Sequence, residues 1–193
     1  GRRGGCQGNE SDALTVLAPT SHVGQTVSTH PTFAWYAPNT PSVPLEFHLF
    51  SNSGKLIYKT QLESSAGMMS LSLPETEPAL QVGQRYRWQV TALCNPNRPS
   101  SAIVSRAEIE VVPLSASLGT SLKSVTDPAA QSNLLAQAGL WYDAFATVAV
   151  QGNASLQAAR QALLTSLAEV EAVRGQRDSS AQLRQIAAAS GVR

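Results

Sequence analysis

The stretch that decides the fold is "QVGQRYRWQVTALCNPN", residues 81–97. From Tyr86 every second residue is apolar or cysteine: Tyr86, Trp88, Val90, Ala92 and Cys94. Arg85, Arg87, Gln89 and Thr91 alternate with them and are polar. A period of two sends one set of side chains to a buried face and the other to water, so this segment is a half-buried strand. It ends at a cysteine, and the chain holds one other, Cys6.

The same alternation recurs on the N-terminal side. "ALTVLA" (13–18) is a short apolar run closed by Pro19, and "PTFAWYAP" (31–38) is bracketed by prolines. "PLEFHLF" (44–50) and "KLIYKTQL" (55–62) are joined by "SNSG", a hairpin signal. "MMSLSL" (68–73) stops at Pro74, and "AIVSRAEIEVV" (102–112) has Ile103, Ala107, Ile109 and Val111 on one face. About seven short strands with Pro and Gly punctuation and no helical period predict a β-sandwich over residues 13–113. Leu80, Gly83, Tyr86 and Trp88 have the spacing L-x-x-G-x-x-Y-x-W. This resembles the tyrosine corner of immunoglobulin-like and fibronectin-III-like sandwiches, where a Tyr hydroxyl bonds back to the preceding turn. Trp35 resembles the core tryptophan of an early strand. Trp35, Tyr86 and Trp88 are therefore the expected centre of the core.

Beyond Pro113 the composition turns to Ala, Leu and Gln. Asp127, Pro128 and Gly139 read as N-cap, first helical residue and stop. A second helix follows in "LWYDAFATVAVQG", and a third, capped by Asn153, carries Leu156, Ala159, Leu163, Leu167 and Val170 at three- and four-residue steps. A fourth is expected to start at Ser179 or Ser180. "LLAQAGLWYDAFATVAV" resembles one helical hairpin of a tetratricopeptide repeat, with Gly139 at the turn. One unit cannot build a solenoid, so residues 114–193 are expected to form a small helical domain packed on the sandwich or on a neighbour. Residues 1–12 form a Gly- and Arg-rich arm.

Charge is sparse: 14% of residues are Asp, Glu, Lys or Arg, against about 25% in an ordinary soluble protein. The net charge of +1 gives no electrostatic case for nucleic acid or anionic membrane. No window of 18 apolar residues exists, so no transmembrane segment is expected. "GRRGGC" lacks a hydrophobic leader, which fits a cytosolic chain or a mature form whose leader is gone. Two buried free thiols and a Cys6–Cys94 disulfide are both open from the residues. The bridge is favoured because the polar arm could not bury a thiol alone. It would stabilise by about 2–5 kcal/mol and would place the protein in an oxidising compartment.

Three stretches in order, "PTFAWY", "LSLPETEPALQVGQRYRWQVTALCNPNRPS" and "AQAGLWYDAFATVAV", resemble the secreted cyanobacterial proteins of domain-of-unknown-function family nine-two-eight. The resemblance runs from Cys6 to the third helix and implies export and a Cys6–Cys94 bridge. It supplies no catalytic residue.

No catalytic constellation is visible. His22 and His30 lie in a Ser/Thr-rich loop, His48 alternates outward on a strand, and no spacing supports a zinc site. Glu75 and Glu77 sit in a Pro-bounded loop; Glu108 and Glu110 share the polar face of a strand. A hydrolase would require a deep pocket joining His22 or His48 to a carboxylate. The sequence is read instead as a non-enzymatic structural subunit, secreted or at the cell surface. It would associate with copies of itself into a polymer such as a filament, through strand-edge and helical contacts, with no cofactor. Asp12, Ala13, Leu14, Thr15, Val16, Leu17 and Ala18 form a candidate strand for donation to a neighbour. The alternative is a monomeric secreted module binding a surface polysaccharide or protein, for which clustered exposed aromatics such as Tyr36 and Phe50 would argue.

Overall fold

The computed structural model describes residues 13–37, 42–94, 102–149 and 153–190. Among them the chain forms β1 (Thr15–Val16), β2 (Gly24–Thr26), β3 (Thr32–Ala37), β4 (Pro44–Ser51), β5 (Leu56–Glu63), β6 (Gly67–Ser72), β7 (Arg85–Ala92) and β8 (Ile103–Val111). Helices α1 (Ala116–Ser124), α2 (Pro128–Gln137), α3 (Trp141–Ala149), α4 (Ala154–Val173) and α5 (Arg177–Ser190) follow. The strands make two sheets, ordered β1-β3-β6 and β2-β8-β7-β4-β5. All pairs are antiparallel except β2 on β8.

The sheets pack face to face. Phe33 and Trp35 of β3 meet Phe47, Leu49, Trp88, Val90 and Ile109 of the larger sheet in one buried cluster. The Phe33 ring lies 5.0 Å from that of Phe47 and 5.1 Å from that of Trp88. Tilted aromatic pairs of this kind add roughly 0.5–1.5 kcal/mol beyond their area burial. The alternation of β7 accounts for its part: Tyr86, Trp88 and Val90 point in, while Arg85 and Arg87 are exposed. Gln81 donates its backbone N–H to Tyr86 Oη at 2.9 Å. The β4–β5 turn is closed by Gly54 at φ 84°, a left-handed conformation that favours glycine.

The helices form a third layer against the outer face of the small sheet. Alternation on β3 therefore serves two cores at once. Phe33 and Trp35 face the sandwich, while Ala34 and Tyr36 face the helices. Leu14, Val16 and Ala18 likewise join the sandwich core, and Leu17 between them joins the helical one. α2 starts on Asp127, whose side chain accepts from Ala130 N at 2.9 Å, and Gly139 at φ 79° ends the turn after it. Asn153 caps α4 in the same way, accepting from Leu156 N at 3.1 Å. Leu163, Leu164, Leu167 and Ala168 of α4 share a cluster with Leu183, Ile186 and Ala187 of α5.

Several boundaries differ from expectation. α5 begins at Arg177, so Ser179 and Ser180 lie inside it rather than capping it, and Ser180 is buried. Gly175, at φ 85°, breaks α4 early enough for Asp178 to occupy the first turn of α5. α1 and the three-residue β2 were not expected. α1 buries no residue fully, and β2 is too short to show a period.

Three successive residues of α3 fasten the helical layer to the sheets. Trp141 donates from Nε1 to the Leu17 carbonyl at 3.0 Å. Tyr142 enters the sandwich core, where its hydroxyl accepts from Trp88 Nε1 at 2.8 Å and donates to the Glu108 carbonyl at 3.0 Å. Asp143 accepts from Thr26 Oγ1 at 3.1 Å and Val27 N at 3.0 Å. Burial pushes the Tyr142 hydroxyl well above its ordinary pKa, so it stays protonated and able to donate. The ring fits because residue 24 is glycine: a Cβ there would lie 2.7 Å from Tyr142 Cε2 and 3.3 Å from Pro19 Cδ.

Gly24→Ala should destabilise the protein by about 1–3 kcal/mol through overpacking, measured by urea unfolding. In a Tyr142→Ala background the same change should cost much less, because its clashing partner is gone. Additive losses would show that the strain lies elsewhere.

Candidate functional site

Several depressions mark the described surface. One, of about 500 Å³, lies where the loop after β1 meets the outer face of β7 and β8. Its walls include Ser21, His22, Arg87, Arg106 and Glu108. Behind it Glu171, at the C-terminal end of α4, is fully buried. Its carboxylate accepts from Thr20 N and Ser21 N at 3.2 Å each, from Ser21 Oγ at 2.7 Å, and from Thr20 Oγ1. Burial pushes the Glu171 carboxyl up, but these hydrogen bonds outweigh it and hold the pKa below the usual value. Glu171 is thus a clamp between α4 and the sandwich.

Ser21 Oγ also lies 3.1 Å from His22 Nδ1. The order is carboxylate, hydroxyl, imidazole. A nucleophilic triad needs the imidazole in the middle, taking the hydroxyl proton while the carboxylate orients it. Here the Ser21 proton is directed at Glu171. Burial and the Arg174 charge lower the His22 pKa, against the opposing effect of Glu171. The pocket holds a histidine and a carboxylate without linking them into a nucleophile.

A second cleft of about 300 Å³ lies between β2, β3 and α3, lined by His30 and Asp143 among others. Both groups are engaged. His30 Nε2 is 3.1 Å from the Glu77 carbonyl, and Nδ1 lies 3.4 Å from Thr29 Oγ1 and 3.5 Å from Glu75. Asp143 uses both oxygens in the α3 fastening, and burial raises its pKa despite those hydrogen bonds. Among the described residues no three His, Cys, Asp or Glu side chains are grouped to hold a metal ion.

The third, about 390 Å³, lies on the outer face of β4 and β5 and is lined by Glu46, His48, Lys59, Thr60 and Gln61. Phe50 stacks on His48 with centroids 5.8 Å apart and planes within 11°. Tyr36 lies on the other sheet and packs into the helical cluster, so Phe50 and Tyr36 do not form a common aromatic surface.

The core residues Trp35 and Trp88 are fully buried, and Tyr86 nearly so. Cys6 and Asp12 lie outside the described residues; no described cysteine is a free thiol. The segment read as a donated strand, Ala13 to Ala18, pairs within its own chain. Thr15 and Val16 are in register with Tyr36 and Trp35, and Leu17 N donates to the Ala34 carbonyl at 2.9 Å. In the isolated chain the segment is therefore not left free for a neighbour. The physical reason is that its alternate residues already fill two intramolecular cores. Among the described residues the longer end strands are instead β5, eight residues at the end of the large sheet, and β6, six residues at the end of the small one.

Sequence reasoning did not single out Gly24, Tyr142 or Glu171. Glu171 carried a usable signal: it stands four residues after Leu167 and eight after Leu163, on the apolar stripe of α4. A carboxylate on a core stripe implies donors brought from elsewhere.

These features define a two-sheet β-structure carrying a helical layer, and among the described residues Ser21, His22 and Glu171 do not form a nucleophilic triad. The model of the family described as Domain of Unknown Function (DUF928) matches residues 1–175, and the chain belongs to that family. No curated protein matches the sequence significantly. Among solved structures, the fn3 domain of human collagen alpha-1(XX) chain is similar at 13% identity. The match covers 60% of this chain and 93% of that one, with a TM-score of 0.31, too low to bear on the fold. No helix among the described residues is long and apolar enough to cross a membrane.

Glu171→Gln should leave at least one buried donor poorly satisfied and cost about 1–3 kcal/mol at pH 7. The native carboxyl has a lowered pKa, so its contribution is full above about 4.5 and is lost as pH falls through the lower folded value. The stability gap between native protein and variant should therefore shrink below about pH 4.5. Asp143 is common to both proteins and cancels. Urea titrations at pH 3, 4, 5 and 7 would read this; a constant gap would refute the clamp.

Proposed function

We propose that this chain is a non-enzymatic structural subunit that associates with copies of itself through the open edge of its large sheet. The observation that carries the proposal is β5: eight residues paired on one side to β4, with no strand on the other side among the described residues. An unpaired strand presents a row of N–H and C=O groups that another strand can extend. β5 contains no proline, its lone lysine is Lys59, and Leu56 is 42% exposed on it. The opposite sheet ends are short strands, β1 and β2, backed by helices. β5 and β6 follow one another in the chain and end the two sheets, so a partner could extend both.

The finer parts of this proposal are an immunoglobulin- or fibronectin-III-like sandwich, a tetratricopeptide-like α2–α3 hairpin, and a secreted or cell-surface location with a Cys6–Cys94 bridge. Two facing sheets, antiparallel apart from β2 on β8, with Tyr86 bonded to its preceding turn support the first. The α2–Gly139–α3 turn, with Ala144 and Phe145 buried, supports the second. The absence of a free thiol among the described cysteines supports the third.

Purified protein should run as polymers by size exclusion with light scattering, and negative-stain images should show regular assemblies. Leu56→Lys with Gln61→Lys should raise the concentration needed for assembly about tenfold or more, on the order of 1.4 kcal/mol per contact, while the melting transition stays in place. A native protein that remains a ~20 kDa species at all concentrations would overturn the proposal; 20.4 kDa is the chain mass.

A further inference from the structure

The outer face of the large sheet carries an ordered row of side chains. Register pairs Lys59 with His48, His48 with Gln89, and Gln89 with Arg106. These four residues cross β5, β4, β7 and β8 in one line. Strands lie about 4.8 Å apart, so Arg106 and Lys59 stand roughly 14 Å from each other at the backbone. The depression holding Lys59 and His48 opens at one end of the row, and the one holding Arg106 opens at the other.

The chemistry of the row is one-sided: two cations, an amide and an imidazole, with no carboxylate. Glu108 lies in the next row with Arg87 and Phe50, and Glu46 in the row on the other side. Glu46 accepts from Gln61 Nε2 at 2.9 Å. Arg85 on the same face is matched with Glu110 at 3.4 Å, whereas Arg87 and Arg106 have no ion pair among the described residues. His48 is held flat by Phe50, and its buried Nδ1 has no partner among the described residues.

We propose that Arg106, Gln89, His48 and Lys59 form a track for an extended acidic polysaccharide. Its carboxylate or sulfate groups would meet Arg106 and Lys59, and its hydroxyls Gln89 and His48. A guanidinium binds oxyanions with two parallel hydrogen bonds, and planar amides suit sugar hydroxyls. Nucleic acid fits poorly. It needs a dense line of cations and aromatic platforms for unstacked bases, and here two charges are widely spaced while the Phe50 ring is taken by His48. This track uses the sheet face and stands independently of the β5 edge.

The test uses the full chain with polygalacturonate, dextran sulfate, neutral dextran, duplex DNA and inorganic sulfate as probes, at fixed ionic strength. The two acidic polymers should bind and neutral dextran should not. Arg106→Gln and Lys59→Gln should each weaken polymer binding about tenfold, while Arg85→Gln, whose guanidinium is already paired, should change it less than about twofold. Urea unfolding of each variant checks that the sheet is intact. Three outcomes would overturn the track. In one, no acidic polymer binds. In another, duplex DNA binds as tightly with the same losses, which would mean general cation exchange. In the third, inorganic sulfate displaces the polymer while Lys59→Gln has no effect, which would mean a single-ion site at Arg106.

Discussion

The structure depends on one buried hydroxyl. Tyr142 carries a polar atom into the centre of an aromatic core, which is costly unless both its hydrogen-bonding roles are met. They are met by Trp88 Nε1 and the Glu108 carbonyl, groups of two adjacent strands. The Tyr142 ring lies edge-on to those of Phe33 and Trp88, one from each sheet. A helical residue thus joins the two sheets, and the helical layer cannot detach without opening the sandwich.

From that constraint the layering follows. With α3 fixed by Trp141, Tyr142 and Asp143, the helices must lie over the small sheet. β1 and β3 are then buried on both sides. α4 is held at its far end by Glu171, which gathers the donors of Thr20 and Ser21. Two polar clamps at separate points therefore fix one apolar interface. Hydrophobic contact supplies much of the attraction and is non-directional; the clamps set the register. In the same way Glu171, Asp143, Ser21 and His30 are all engaged in structural hydrogen bonds. The proposed self-association and polysaccharide track draw instead on the outer face of the large sheet and on its β5 edge.

Much of the architecture was legible in the sequence. The period of two in residues 85–92 gives β7 and its inward face, and the spacing from Leu80 to Trp88 points to the Tyr86 bond to its turn. Asp127, Gly139 and Asn153 act locally through short-range backbone bonds, so their roles could be read without the fold. β3 was half legible. Its even and odd positions are both apolar or small, which signals burial on two sides, but not what covers the second side. Residues 13–18 were half legible for the same reason: an apolar segment after a loose arm looks available until both of its faces have partners.

The sequence by itself determined the strands, most helices and the change from strand to helix near Pro113, because periodicity and caps depend on neighbours a few residues away. It also set the sparse charge, 14% of residues. Only the tertiary structure decided that Tyr142 belongs to the sandwich, that Glu171 meets Thr20 and Ser21, and that Lys59, His48, Gln89 and Arg106 stand in one row. Those relations join residues separated by up to 151 positions. They are fixed by sheet register and by the space that Gly24 leaves open, and neither is a property of any local stretch of chain.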